Sequence, residues 1–132
     1  MIGYLDANGD AYLEVEVANP LGWKSKLNCL IDTGFTGFLS IPILEAFPIG
    51  LLLVGIIPVT HADGSVRNKL MCLGSAGKGD ETQEGVILIE EGSKQALLGM
   101  EFLRQFKKRL VLDPVAGTVE LQDTAVPAPP PS

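Results

Sequence analysis

Cys29-Leu30-Ile31-Asp32-Thr33-Gly34-Phe35-Thr36-Gly37 runs apolar into a carboxylate and then into a glycine-punctuated turn, after which the chain resumes as Phe38-Leu39-Ser40-Ile41. Leucine and isoleucine ahead of Asp32 predict a buried strand, where an ionised carboxylate is costly unless it is paired or hydrogen-bonded. Gly34 and Gly37 permit positive φ and close backbone approach, as a tight loop at a reacting centre requires. Asp, Thr and Gly are also common turn residues, so the tripeptide alone equally describes an ordinary strand-to-turn junction. The flanking chain has to decide between the two.

Before this stretch, Tyr12-Leu13-Glu14-Val15-Glu16-Val17-Ala18 alternates apolar and acidic residues with period two, the mark of a strand with one wet face. Asn19-Pro20-Leu21-Gly22 supplies a turn and Lys26 to Ile31 returns as a second strand. Asp32 therefore stands at the end of the return arm of a hairpin. After it, Pro42 to Phe47 reads as one helical turn stopped by Pro48. From Ile56 the chain is extended through Thr60-His61-Ala62, meets Asp63-Gly64, and continues from Ser65 to Leu73, a strong hairpin signal.

Gly74 to Glu84 is polar and glycine-rich and reads as a surface loop; its residue order does not match a phosphate cradle. Val86 to Ile89 predicts a strand, and Ala96-Leu97-Leu98 a buried run ended by Gly99. A helix is expected from Met100 to about Arg109, with Met100, Leu103, Phe106 and Leu110 at helical spacing and Lys107-Lys108-Arg109 near its end, as the helix dipole prefers. Leu110 to Leu112 and Thr118 to Leu121 flank Asp113 to Gly117 as a final hairpin. The runs ending at Gly34 and Gly99 look alike, as two equivalent layers of a pseudo-symmetric sheet would.

Fifteen glycines and nine prolines in 132 residues predict many short strands and a mostly β domain spanning residues 1–124, followed by a Pro-rich extended tail, 125–132. A net charge of −6 argues against a nucleic-acid partner. The longest apolar stretch, Ile49 to Val59, is broken by glycine and proline and falls short of a membrane span; it reads as core and loop. The first residues carry no basic segment before an apolar one, which favours a cytoplasmic location. Cys29, Cys72 and the single His61 have no ligand-like spacing, so neither a metal nor another cofactor is expected and the cysteines read as buried thiols.

Three elements in order, Asp32-Thr33-Gly34 in an apolar strand, the Ala62-Asp63-Gly64-Ser65 hairpin, and Ala96-Leu97-Leu98-Gly99 leading into a helix, resemble a retropepsin-type aspartic protease, more narrowly the small single-domain prokaryotic members of that clan. The resemblance covers about Leu13 to Leu121. It implies a closed, orthogonal β-barrel-like acid-protease fold with one short C-terminal helix. It further implies an endopeptidase in which two carboxylates share one proton and activate water. The chain has one Asp-Thr-Gly, and Leu98-Gly99 carries no acid, so the resemblance calls for a symmetric homodimer with Asp32 from each copy. Thr33 and Gly34 would support the active-site loop, and Ala62, Asp63, Gly64 and Ser65 would form a flap over a peptide or protein substrate. Phe35 and Met100 depart from the retroviral pattern, which has a small residue and an arginine there. A non-catalytic peptide-binding or dimerisation module on the same fold is the alternative, and a structural β domain in which Asp32 only satisfies turn amides is a third.

Overall fold

The computed structural model describes residues 1–60 and 63–124. Ten strands are formed among them: β1 (Ile2–Leu5), β2 (Ala11–Ala18), β3 (Lys24–Ile31), β4 (Leu39–Pro42), β5 (Leu52–Thr60), β6 (Val66–Lys78), β7 (Glu81–Glu90), β8 (Leu97–Leu98), β9 (Lys108–Asp113) and β10 (Thr118–Asp123). Two short helices, α1 (Ile43–Ala46) and α2 (Met100–Gln105), interrupt them. The strands make a single sheet in the order β5-β6-β7-β4-β8-β3-β2-β1-β10-β9, and a further pairing of β6 with β2 closes six of them into a ring.

The period-two pattern of β2 buries Leu13, Val15 and Val17 and leaves Glu14 and Glu16 outside, and β3 buries Leu27 and Cys29 against them. Both cysteines are free and buried, as expected. All of β4 is buried, because it runs between β7 and β8. Ile87 and Ile89 of β7, Leu98 of β8 and Phe102 of α2 complete the core. Phe102 stacks on Phe38 at 5.4 Å between ring centroids and meets Phe106 at a tilt, at 4.4 Å, which fixes α2 against the sheet.

Four expectations are corrected. Gly74 to Glu84 is not a loop: β6 continues to Lys78, the chain turns at Gly79 with φ +65°, and β7 begins at Glu81. The glycines there serve close strand approach, since a Cβ at Gly74 would lie 2.9 Å from the Ala18 carbonyl oxygen. The segment after Ile49 is an edge strand with Leu52, Leu53, Val54 and Ile56 exposed, while Ile49 is buried in the core and Leu51 packs half-buried against it. The helix ends at Gln105, because Phe106 turns into the core and Lys107 takes a left-handed φ of +54°. Lys108 and Arg109 accordingly open β9, where Lys108 is buried between the carboxylates of Glu81 and Asp123. Finally, the two glycine-ended runs are not separate layers but adjacent parallel strands, with Leu30 beside Leu97 and Ile31 beside Leu98. The expected tail, 125–132, lies outside the described residues. Among those described, no helix is long and apolar enough to cross a membrane.

Candidate active site

β8 is two residues long, yet it organises the loop that carries Asp32. It lies between β3, to which it is parallel, and β4, to which it is antiparallel. The Leu30 amide donates to the Ala96 carbonyl at 2.8 Å and the Asp32 amide to the Leu98 carbonyl at 2.9 Å. The loop joining β3 to β4 is then laced to the start of α2. The amides of Gly99, Met100 and Glu101 donate to the carbonyls of Phe38, Phe35 and Gly37, at 3.1, 2.8 and 3.1 Å. Every such bond uses a backbone group that a free turn would leave to water.

Asp32 is half-buried at the end of β3, and its Oδ1 accepts the Gly34 amide at 2.9 Å. Thr33 and Gly34 are exposed. Neither Gly34 nor Gly37 takes the positive φ that the sequence allows; what matters is their size. A Cβ on Gly37 would lie 2.5 Å from Phe35 Cζ, and one on Gly34 would lie 3.2 Å from Asp32 Oδ1. Gly99 is the tightest point of the loop, because a Cβ there would overlap the Gly37 carbonyl oxygen and sit 2.6 Å from the Phe35 ring. The sequence marks Gly99 only as the residue that ends an apolar run and opens a helix. Its part in packing the Asp32 loop depends on Gly37 and Phe35, which are more than sixty residues away.

Of the second expected element, the hairpin itself forms. β5 and β6 pair antiparallel as far as Thr60 opposite Val66. Gly64 has φ +84°, and Asp63 Oδ1 accepts from the Ser65 amide at 2.9 Å and its hydroxyl at 2.6 Å. Ala62 and His61 lie outside the described residues.

No protein-family model matches the chain, and no curated protein sequence does. Solved structures do. A retropepsin-like aspartic protease from Rickettsia conorii superposes over 96% of this chain and 92% of its own, with a TM-score of 0.65 at 19% identity. The EIAV protease complexed with the inhibitor HBY-793 covers 81% of this chain and 97% of its own, with a TM-score of 0.59 at 15% identity. The chain has a retropepsin-like fold.

Two grooves flank the Asp32 loop of this retropepsin-like chain. One, of about 280 Å³, is bounded by Thr36, Gly37, Phe38, Ile57, Val86 and Leu88, so the β5–β6 hairpin reaches the loop through Ile57. The other, of about 560 Å³, lies between Thr33, Thr36, Met100, Leu103 and Leu110. Glu101 borders both. Hydrogen bonds from Arg104 and then Gln105 hold its carboxyl below the usual carboxylate range. A larger concavity, about 820 Å³, runs along the other side of the hairpin between Ile56, Arg67, Lys69, Glu90 and Ser93 and includes no part of the Asp32 loop. Among the described residues, no group of three or more His, Cys, Asp or Glu side chains is placed to hold a metal ion.

Proposed function

We propose that the protein is an aspartic endopeptidase, active as a homodimer in which Asp32 of each copy supplies one carboxyl of the catalytic pair. The observation that carries this reading is the hold on Asp32: its amide bonds to Leu98, its Oδ1 takes the Gly34 amide, and the side chain is half-buried. Such a carboxylate is held in a fixed orientation, as a positioned acid or base must be. The retropepsin-like fold supports the same reading.

In the proposed reaction the two carboxyls share one proton. The ionised one takes a proton from water as its oxygen attacks the peptide carbonyl carbon, and the protonated one gives its proton to the carbonyl oxygen. Collapse of the resulting diol returns that proton to the carboxyl, and the amine leaves with the proton taken from water. Thr33 and Gly34 keep the loop in shape around each carboxyl. Ala62, Asp63, Gly64 and Ser65 form the cover, which holds an extended peptide by strand-like backbone bonds and excludes water. No metal or cofactor takes part.

Cleavage of a peptide library by the parent and by Asp32→Asn tests this reading. The parent is expected to cleave fastest at acidic to mildly acidic pH, because one carboxyl must keep its proton, and the folded variant is expected to be inert. Turnover that survives in Asp32→Asn, or that rises steadily into alkaline pH, would contradict it.

A further inference from the structure

The smaller groove beside the Asp32 loop, of about 280 Å³, has apolar walls. Ile57, Val86 and Leu88 line it from the hairpin and from β7, Thr36 and Gly37 are shared with the Asp32 loop, and Glu101 and Gln105 bring α2 to its rim. Val86 is 41% exposed and Ile57 and Leu88 are half-buried, so water meets three branched apolar side chains in one recess. An apolar recess left open to water marks a place where something apolar docks.

The chain itself supplies a candidate close by. β10 pairs with β9 as far as Asp123 opposite Lys108, and Thr124 carries the ladder one step further, its amide and hydroxyl donating to the Lys107 carbonyl at 3.0 and 3.2 Å. Lys107 follows Gln105, on the groove's rim, by two residues. Beyond Thr124 the sequence reads Ala125-Val126-Pro127-Ala128-Pro129-Pro130-Pro131-Ser132, with four prolines in eight residues and no charged side chain. In a polyproline conformation eight residues span roughly 25 Å, several times the separation of two residues at the end of a helix. Proline has its φ fixed beforehand, so a proline-rich segment loses less entropy on docking. A tethered segment also meets its site at an effective concentration on the order of a millimolar, so contacts too weak to hold a free peptide suffice.

We infer that residues 125–132 dock in this groove of their own chain, with Val126 and the prolines against Ile57, Val86 and Leu88. The anchor at Lys107, the reach and the apolar composition all select this occupant. Thr36 and Gly37 belong to the groove and to the Asp32 loop alike, so the docked segment occupies ground that a peptide reaching Asp32 also needs. The segment is thereby a built-in competitor of substrate. This effect on turnover rests on the endopeptidase reading, whereas the docking does not.

A nitroxide carried on Ser132→Cys of the full chain tests the docking. Cys29 and Cys72 are buried, so the label is directed to the introduced thiol. In backbone amide spectra the Gly37, Val86 and Leu88 signals should lose at least about half their intensity, and regain it when the nitroxide is reduced. Val126→Asp with Pro129→Asp brings charges that an apolar groove does not accept and should abolish the loss. Val86→Glu should do the same from the groove side, with thermal melting to show that it is folded. In peptide cleavage, Val126→Asp with Pro129→Asp is expected to lower KM about threefold and leave kcat unchanged. Groove signals that keep their intensity would overturn the docking, as would losses found instead at Leu21 and Trp23, whose side chains are also exposed. Losses on an isotope-labelled copy without nitroxide, mixed with nitroxide-bearing copies, would mean docking between chains and overturn the same-chain assignment. A KM that does not move would overturn the competition with substrate. A full chain that cleaves nothing would sink the endopeptidase reading, while the groove signals still decide the docking.

Discussion

β3 and β8 lie side by side, parallel and in register, and each leaves the core at the same level of the sheet. β3 ends in Asp32, whose carboxylate is oriented by Gly34. β8 ends in Gly99, which has no side chain and fits only for that reason beneath Phe35 and Gly37. One strand end has the carboxylate and the other has the packing that keeps it in place. On the proposed two-chain reading such a chain supplies one carboxyl of the pair, and no side chain can be placed at Gly99 without breaking the loop that supports Asp32.

This division predicts opposite phenotypes at the two strand ends. Asp32→Asn should lower turnover by about a thousandfold or more. An amide oxygen can still accept from Gly34, so the stability change in a denaturant titration should stay within about 0.5 kcal/mol. At the neighbouring end, Gly99→Ala forces a methyl group into the Gly37 carbonyl and the Phe35 ring. It should cost about 3 kcal/mol of stability in the same titration. A fully stable Gly99→Ala protein would show that the two ends are not so divided.

Gly34→Ala falls between them. Its Cβ would press on Asp32 Oδ1 from 3.2 Å, so stability should fall by less than about 1 kcal/mol while turnover drops about tenfold as the carboxylate is displaced. Equal losses in both would mean that Gly34 packs the loop and does not aim the acid.

The smallest effect lies in the stem of β3. Burial, aided by the charge of Glu45, pushes the Cys29 thiol up from 9.0 to about 12. The folded state therefore favours the protonated thiol, and the stabilisation this gives is complete below pH 9, the unfolded value. It is lost progressively as pH rises from there toward 12, amounting to about 1 kcal/mol near pH 10. Cys29→Ala should be less stable at neutral pH because of the cavity it leaves. Its stability should decline less steeply between pH 9 and 11 than the parent's, as followed by thermal melting. An identical slope in the two proteins would mean that the thiol is not buried in the way described.

The parts of this arrangement that are legible in the sequence are local ones. Alternation in Tyr12 to Ala18, the return from Lys26 and the Asp63-Gly64 turn each announce an element within a few residues, and all three form as read. The position of Asp32 at a strand end follows from them. What escaped depends on distant partners. Gly74 to Lys78 is polar and glycine-rich, yet it is a strand because Ser75, Ala76 and Gly77 pair with Ala18, Val17 and Glu16 on one side and with Glu84, Gln83 and Thr82 on the other. Helical spacing runs on to Leu110, but Lys107 adopts a left-handed turn and its carbonyl takes both the amide and the hydroxyl of Thr124. The insertion of β8 between β3 and β4 joins segments more than fifty residues apart, beyond the reach of any local pattern. The carboxylate could be found from its neighbours in sequence, and the glycine that holds its loop could be found only from its neighbours in space.

The central claim is that one functional site contains Asp32 from two chains. It is tested most directly by letting the parent exchange subunits with Asp32→Asn and measuring peptide cleavage against the mixing ratio at constant total protein. If both carboxyls are needed, heterodimers are inert and activity follows the square of the parent fraction, leaving about a quarter at equal amounts. Activity in direct proportion to the parent fraction, about half at equal amounts, would show that each chain works alone and would contradict the account.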